Sequence, residues 1–141
     1  MTTDVMGAKL ALAQGDALAV ILRDDKPGLL WANHWDLPGG GLEGDETPLS
    51  CALRETQEEL SLVLRREQVS WGRPYTNSIG RTVWFFAAHL PFETRAQVRL
   101  GDEGQRWATM GVEAFLSHDQ VVPQFKPRLS DYLSGRDTDI F

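Results

Sequence analysis

Glu55, Glu58 and Glu59 stand almost side by side in the stretch CALRETQEEL (51–60), next to Arg54. Carboxylates three and four residues apart on a helix repel, each pair by about 0.2–0.5 kcal/mol. Such a face is either an ordinary solvated surface or a place where something positive belongs. The segment just upstream, LPGGGLEGDE (37–46), is too rich in glycine for regular structure. Its glycines permit positive φ and let other groups come close to the backbone.

These residues need elements to hold them. Thr47 is a good N-cap and Pro48 suits the first helical position, so a helix starts there. Leu49, Ala52, Leu53, Thr56 and Leu60 form one stripe at helical spacing that should face a core. At about 100° per residue the three glutamates lie roughly opposite that stripe. Before the helix, VMGAKLALAQ (5–14) and ALAVILRD (17–24) read as strands joined by a turn at Gly15-Asp16. DDKPG (24–28) is turn chemistry, and LLW (29–31) is expected to resume the sheet. Later strands are expected within QVSWGRPYT, RTVWFFAAHL and EGQRWATM, with a short helix at GVEAFL and a closing helix in QFKPRLSDYLSG (124–135). Strands mixed with two or three helices argue for an α/β layered domain.

A chain of 141 residues suits one domain spanning 1–141 with a real core. Hydrophobic residues at 42% and charged residues at 24% are an ordinary globular balance, which argues against wholesale disorder. The net charge of −6 counts against a protein that grips nucleic-acid backbone. An anionic small molecule remains compatible, because a bound metal reverses the local sign of a site. Cys51 is the only cysteine, so no internal disulfide forms and a reducing cytoplasm is expected. The opening residues lack the pattern of a secretory signal, and Ala17 to Leu22 is too short to span a bilayer. The expected protein is soluble, without membrane association.

From Gly40 there are five residues to Glu46 and seven more to Arg54, followed by RETQEELSL. This resembles the Nudix hydrolase signature G-x5-E-x7-R-E-U-x-E-E-x-G-U, where U is apolar. Gly40, Glu46, Arg54, Glu55, Glu58, Glu59 and Leu62 match without a gap, and WDLPGG resembles the family's usual lead-in. Two positions depart. Ser61 replaces the family glycine where a left-handed helix end is typical, at a strain of about 1 kcal/mol. Thr56 occupies an apolar position, which its methyl partly fills.

The resemblance implies a Nudix-type α/β/α sandwich with a central mixed β-sheet. It also implies hydrolysis of a pyrophosphate bond in a nucleoside diphosphate linked to another group. That reaction needs negative charge neutralised and a water aimed in line, and Mg²⁺, or Mn²⁺ in its place, takes oxygen ligands for this purpose. By the same resemblance Glu58 and Glu59 are the main metal ligands. Glu55 is a further ligand or helps activate water, and the Gly39 carbonyl adds a ligand from the loop. Arg54 orients the glutamates, and Glu46 braces the loop. Family members often take a general base from a later loop; LGDEGQRW (100–107) offers Glu103, with Asp102 second, and Glu55 is the alternative.

Substrates consistent with this pattern are ordinary or oxidised nucleoside triphosphates, nucleotide sugars and dinucleoside polyphosphates. ANHWDLPGG is similar to the loop of mutator-type enzymes that clear nucleotides such as 8-oxo-dGTP. Removal of pyrophosphate from RNA 5′ ends is a second enzymatic option, and a non-catalytic nucleotide-sensing module a third, although all the metal glutamates are present. Several family members dimerise, which leaves a homodimer open.

Among the aromatics, Trp31, Trp35, Trp71, Tyr75, Trp84 and Phe85 are each more often core than base-stacking rings. Trp35 is the preferred exception because it borders the glycine loop. Arg23 closes a strand near the expected cleft and is a candidate for phosphate or base. The three histidines lack metal-ligand spacing, and Cys51 reads as a small packing residue.

Overall fold

A computed structural model describes residues 4–141. Strands β1 (Val5–Gln14) and β2 (Ala17–Leu22) form a hairpin with Ala13 opposite Leu18. Gly15 takes φ +71° at the first turn position, the conformation a two-residue II′ turn requires there. Short strands β3 (Trp35–Asp36) and β4 (Gly39–Gly41) follow, then helix α1 (Pro48–Leu60), β5 (Val69–Thr76), β6 (Thr82–Leu90), β7 (Arg106–Gly111), and helices α2 (Val112–Ser117) and α3 (Phe125–Leu133).

The strands make one sheet in the order β3-β2-β1-β6-β5, with β4 added to β1 and β7 to β2. β1 and β6 run parallel while the remaining pairs are antiparallel, so the sheet is mixed. Because strand side chains alternate between faces, each strand feeds two cores. Leu10, Leu12, Ile21 and Phe86 pack with Leu49, Ala52 and Leu60 of α1. Ala11, Val20 and Phe85 pack on the other side with Phe115 of α2 and Phe125 and Leu129 of α3. This is the α/β layered domain that the pattern of strands and helices argued for, and the α/β/α sandwich that the resemblance implied.

The site lies where β1 changes partners. Gln14 and Ala13 pair with β2, whereas Gly7, Ala8 and Lys9 pair with β4. Leu10 N–H bridges the fork by donating to the Pro38 carbonyl at 2.8 Å. The glycine loop was expected to be irregular, yet Gly39–Gly41 form strand β4. An added Cβ on Gly39 would lie 2.1 Å from the Ala8 carbonyl oxygen, and φ there is +140°. Only glycine brings this backbone so close to β1.

LLW does not resume the sheet. Leu29 N–H and Ala32 N–H bond back to Lys26 and Leu29 carbonyls, and Trp31 and Asn33 adopt left-handed conformations at φ 57° and 59°. The Pro27-Gly28 turn therefore continues as a wide loop, and pairing with β2 restarts only at Trp35 and Asp36.

Helix α1 begins as its sequence dictates, with Thr47 Oγ1 accepting from Ser50 N–H at 3.1 Å and Pro48 in the first turn. Its buried residues are Leu49, Cys51, Ala52, Thr56 and Leu60. Leu53 is only partly buried, so the stripe is rotated slightly towards Cys51. Thr56 fills its apolar position with its hydroxyl satisfied by the Ala52 carbonyl at 2.7 Å, the back-bond open to Thr within helices. Ser61 ends the helix at φ 61°, in the left-handed region that the family glycine would occupy.

Candidate active site

Glu55, Glu58 and Glu59 project from α1 towards the glycine loop and towards the 100–105 loop. They do not all lie in open solvent opposite the core, as the helical wheel suggested. Glu58 is 58% exposed, but Glu55 is 19% exposed and Glu59 is half-buried, because β4 folds over their flank. The Glu59 carboxylate accepts from Gly39 N–H at 2.7 Å. Gly40 packs so tightly on Glu55 that an added Cβ would lie 2.7 Å from its carboxyl carbon. Burial pushes the Glu59 carboxyl up to about 7, opposed by the Lys9 ammonium and the Gly39 N–H.

Arg54 ties the group together. Its guanidinium meets Glu46 at 2.6 and 3.0 Å, Glu55 at 3.0 Å, Glu58 at 3.2 Å and the Gly41 carbonyl at 3.0 Å. These contacts hold the Glu46 carboxyl below its usual range. Glu46 also accepts from Glu43 N–H at 2.9 Å, so it links loop to helix. Cys51 is fully buried; desolvation, followed by the negative charge of Glu46, pushes its thiol up to about 11, which leaves it inert.

The 100–105 loop is pressed on the end of α1. Gly101 N–H donates to the Glu59 carbonyl at 2.9 Å, and an added Cβ on Gly101 would lie 2.2 Å from the Glu58 carbonyl oxygen. Ser61 Oγ donates to the Arg99 carbonyl at 3.0 Å, a second tie that a glycine at 61 would lack. The outcome is a groove of about 370 Å³ lined by Glu55, Glu58, Glu59, Gly101, Asp102 and Glu103. Glu103 also borders an adjoining cleft of about 90 Å³ with Arg23, Asp36 and Glu59.

Two residues of this site escaped the sequence reading. Asp36 is 7% exposed and bonds Arg23 Nη1 at 2.9 Å and Lys9 Nζ at 3.1 Å. Lys9 Nζ reaches the Leu37 and Gly39 carbonyls as well, each at 3.2 Å. The available signals were a lone lysine inside an otherwise apolar strand and an aspartate in the lead-in to the glycine loop.

Trp35 does not serve as the stacking ring. It is 8% exposed and packs in the α3-side core, its backbone is fixed to Gln120 and Val122, and the Arg106 guanidinium lies over its ring at 5.1 Å. Strand pairing of Trp35 with Leu22 directs the ring inward.

Among the described residues no three His, Cys, Asp or Glu side chains converge as a ready-made metal cage. Arg54 holds Glu55 and Glu58 on one guanidinium nitrogen, while the Gly39 N–H holds Glu59. The donor chemistry nevertheless fits a hard divalent cation: the groove offers several carboxylates, with the Gly39 carbonyl nearby, and no soft ligand.

A mixed sheet between helices, with an acidic helix facing a glycine loop, defines a class before any comparison. Residues 12–132 match the NUDIX domain, and the chain belongs to that family, whose members generally use divalent metals. It is a hydrolase acting on pyrophosphate bonds. The chain is 30% identical to an RNA pyrophosphohydrolase of Halorhodospira halophila, over 85% of this chain and 82% of that protein. A shorter match to an RNA pyrophosphohydrolase of Marinomonas is 40% identical but spans only 32% of this chain and 31% of the other. The fold is shared with a MutT protein from Methanosarcina mazei (TM-score 0.73, 16% identity, 95% and 96% of the two chains). It is shared also with an Ap4A hydrolase from C. elegans (TM-score 0.68, 21% identity, 92% and 98%). Among the described residues no helix is long and apolar enough to cross a membrane.

Proposed function

We propose that this chain hydrolyses a small nucleotide, a nucleoside diphosphate joined to a further group, with Mg²⁺ as the working cation and Mn²⁺ as a substitute. The observation that carries the reading is the shared groove of Glu55, Glu58, Glu59 and Glu103, with Arg23 in the adjoining cleft. Glu58, Glu59, Glu55 and the Gly39 carbonyl would hold the cation, which supplies neutralisation of phosphate oxygens and of the leaving group. Arg23 is positioned to pair with a phosphate, since its fork matches phosphate oxygens while Asp36 fixes its orientation. Arg54 acts as a positioning residue through Glu55 and Glu58.

Glu103 is the better-placed proton acceptor for the attacking water. Its carboxylate is exposed and borders both cavities, whereas Glu55 is committed to Arg54 at 3.0 Å. The nucleoside end has room in a cavity of about 250 Å³ beside Gly40 and Gly41, bounded by Phe125, Gln124 and Arg128. An apolar wall with amide and guanidinium donors suits a planar base that carries ring carbonyls.

The test is product release from nucleoside triphosphates (8-oxo-dGTP included), nucleotide sugars and dinucleoside polyphosphates, in MgCl₂ and then in EDTA. Turnover of at least one of these, abolished by EDTA, is the expected result. No turnover of any, or turnover indifferent to EDTA, defeats the reading. A second reading, RNA 5′-pyrophosphate removal, is favoured by the names of the two sequence relatives. A triphosphorylated oligonucleotide in the same panel decides between them through kcat/KM.

A further inference from the structure

Lys9 is a cation already sitting on one of the oxygens assigned above to the metal. Its ammonium lies 3.2 Å from the Gly39 carbonyl, 3.2 Å from the Leu37 carbonyl, and 3.1 and 3.2 Å from the two Asp36 oxygens. An ammonium has three protons, so these four acceptors share them, and every distance is at the long end of the N–H···O range. No single bond holds the group firmly. Its charge also acts on Glu59, which Gly39 N–H draws to the same loop.

Lys9 lies on the strand face that carries Ala11, the side of α3, and lines the cavity formed with Gly40, Gly41, Phe125 and Arg128. In this same position the ammonium also lies 5.9 Å from the Phe125 ring centroid, within the range at which an aromatic face attracts a cation. The side chain is 22% exposed, so replacing it leaves the core packed. Asp36 would keep Arg23 as its partner at 2.9 Å.

We propose that Lys9 is a tethered counter-ion that competes with the divalent cation for the Gly39 carbonyl and, by its charge, weakens cation binding at the neighbouring Glu59. Lys9 thereby sets metal affinity. This role is that of a positioning residue, and it rests on the metal reading of Glu59 and Gly39 given above.

The experiment is Mn²⁺ titration, followed by electron paramagnetic resonance, of wild type, Lys9→Met, Lys9→Gln and Glu59→Gln, with circular dichroism to verify folding. Removing a positive charge beside a cation site tightens binding, here by about tenfold, in Lys9→Met. Lys9→Gln, which keeps a hydrogen-bond donor but no charge, moves the same way. Unchanged or weaker Mn²⁺ binding in whichever lysine variants fold, alongside its loss in Glu59→Gln, overturns the role of Lys9 and leaves the metal reading standing. Wild-type binding in Glu59→Gln overturns that reading, and the Lys9 proposal with it.

Discussion

Glu103 and Glu55 are chemically identical, and their neighbours set them apart. The Glu55 carboxylate is held by Arg54 at 3.0 Å and packed against Gly40, so its orientation is fixed from the helix side. Glu103 stands on a loop at the junction of groove and cleft, where a water approaching phosphorus from solvent would meet it. A positioned general base contributes about 10²–10⁴ in rate. Glu103→Gln is therefore expected to lower kcat by about 100-fold while leaving Mn²⁺ affinity and the melting temperature close to wild type. Should kcat survive in Glu103→Gln and collapse in Glu55→Gln with metal still bound, proton transfer belongs to Glu55.

At the scale of elements, the site depends on two close approaches that only small residues permit. β4 reaches β1 through Gly39, and the 100–105 loop reaches α1 through Gly101, whose added Cβ would lie 2.2 Å from the Glu58 carbonyl oxygen. Gly101→Ala should lift that loop off the helix and carry Glu103 with it. A displacement of about 1 Å in a reacting group can cost on the order of 100-fold, so kcat should fall at least tenfold while α1 and its metal affinity persist. Full activity in Gly101→Ala would mean that the loop does not place the base. The helix side of this arrangement was legible beforehand: Thr47, Pro48 and the carboxylate spacing follow local rules of capping and periodicity. Lys9, Asp36 and the burial of Trp35 were not, because each depends on the fork where β1 exchanges β2 for β4. No local pattern encodes which strand will pair with which, and the left-handed turns at Trp31 and Asn33 that end the LLW extension are set by loop closure.

For the whole molecule the question is what stabilises a protein of net charge −6 that gathers Glu55, Glu58, Glu59, Asp102 and Glu103 around one groove. Arg54, Lys9 and Arg23 offset part of this charge, but Arg54 already serves Glu46, Glu55 and Glu58, and Lys9 and Arg23 both serve Asp36. The remaining repulsion is a standing cost to the folded state that a divalent cation bound there would remove. A ligand at a hundredfold over its dissociation constant stabilises the fold by about 2.7 kcal/mol. For a chain of this size that corresponds to a rise of roughly 5–10 °C in melting temperature. Wild type should therefore melt several degrees higher in saturating MgCl₂ than in EDTA. Glu58→Gln/Glu59→Gln keeps an oxygen acceptor at both positions and lowers the local charge, so it should melt at or above wild type in EDTA and gain almost nothing from Mg²⁺. A doubly substituted protein that still shows the full metal-dependent rise would place the stabilising cation elsewhere on the molecule, and the acidic face of α1 would then be ordinary solvated surface.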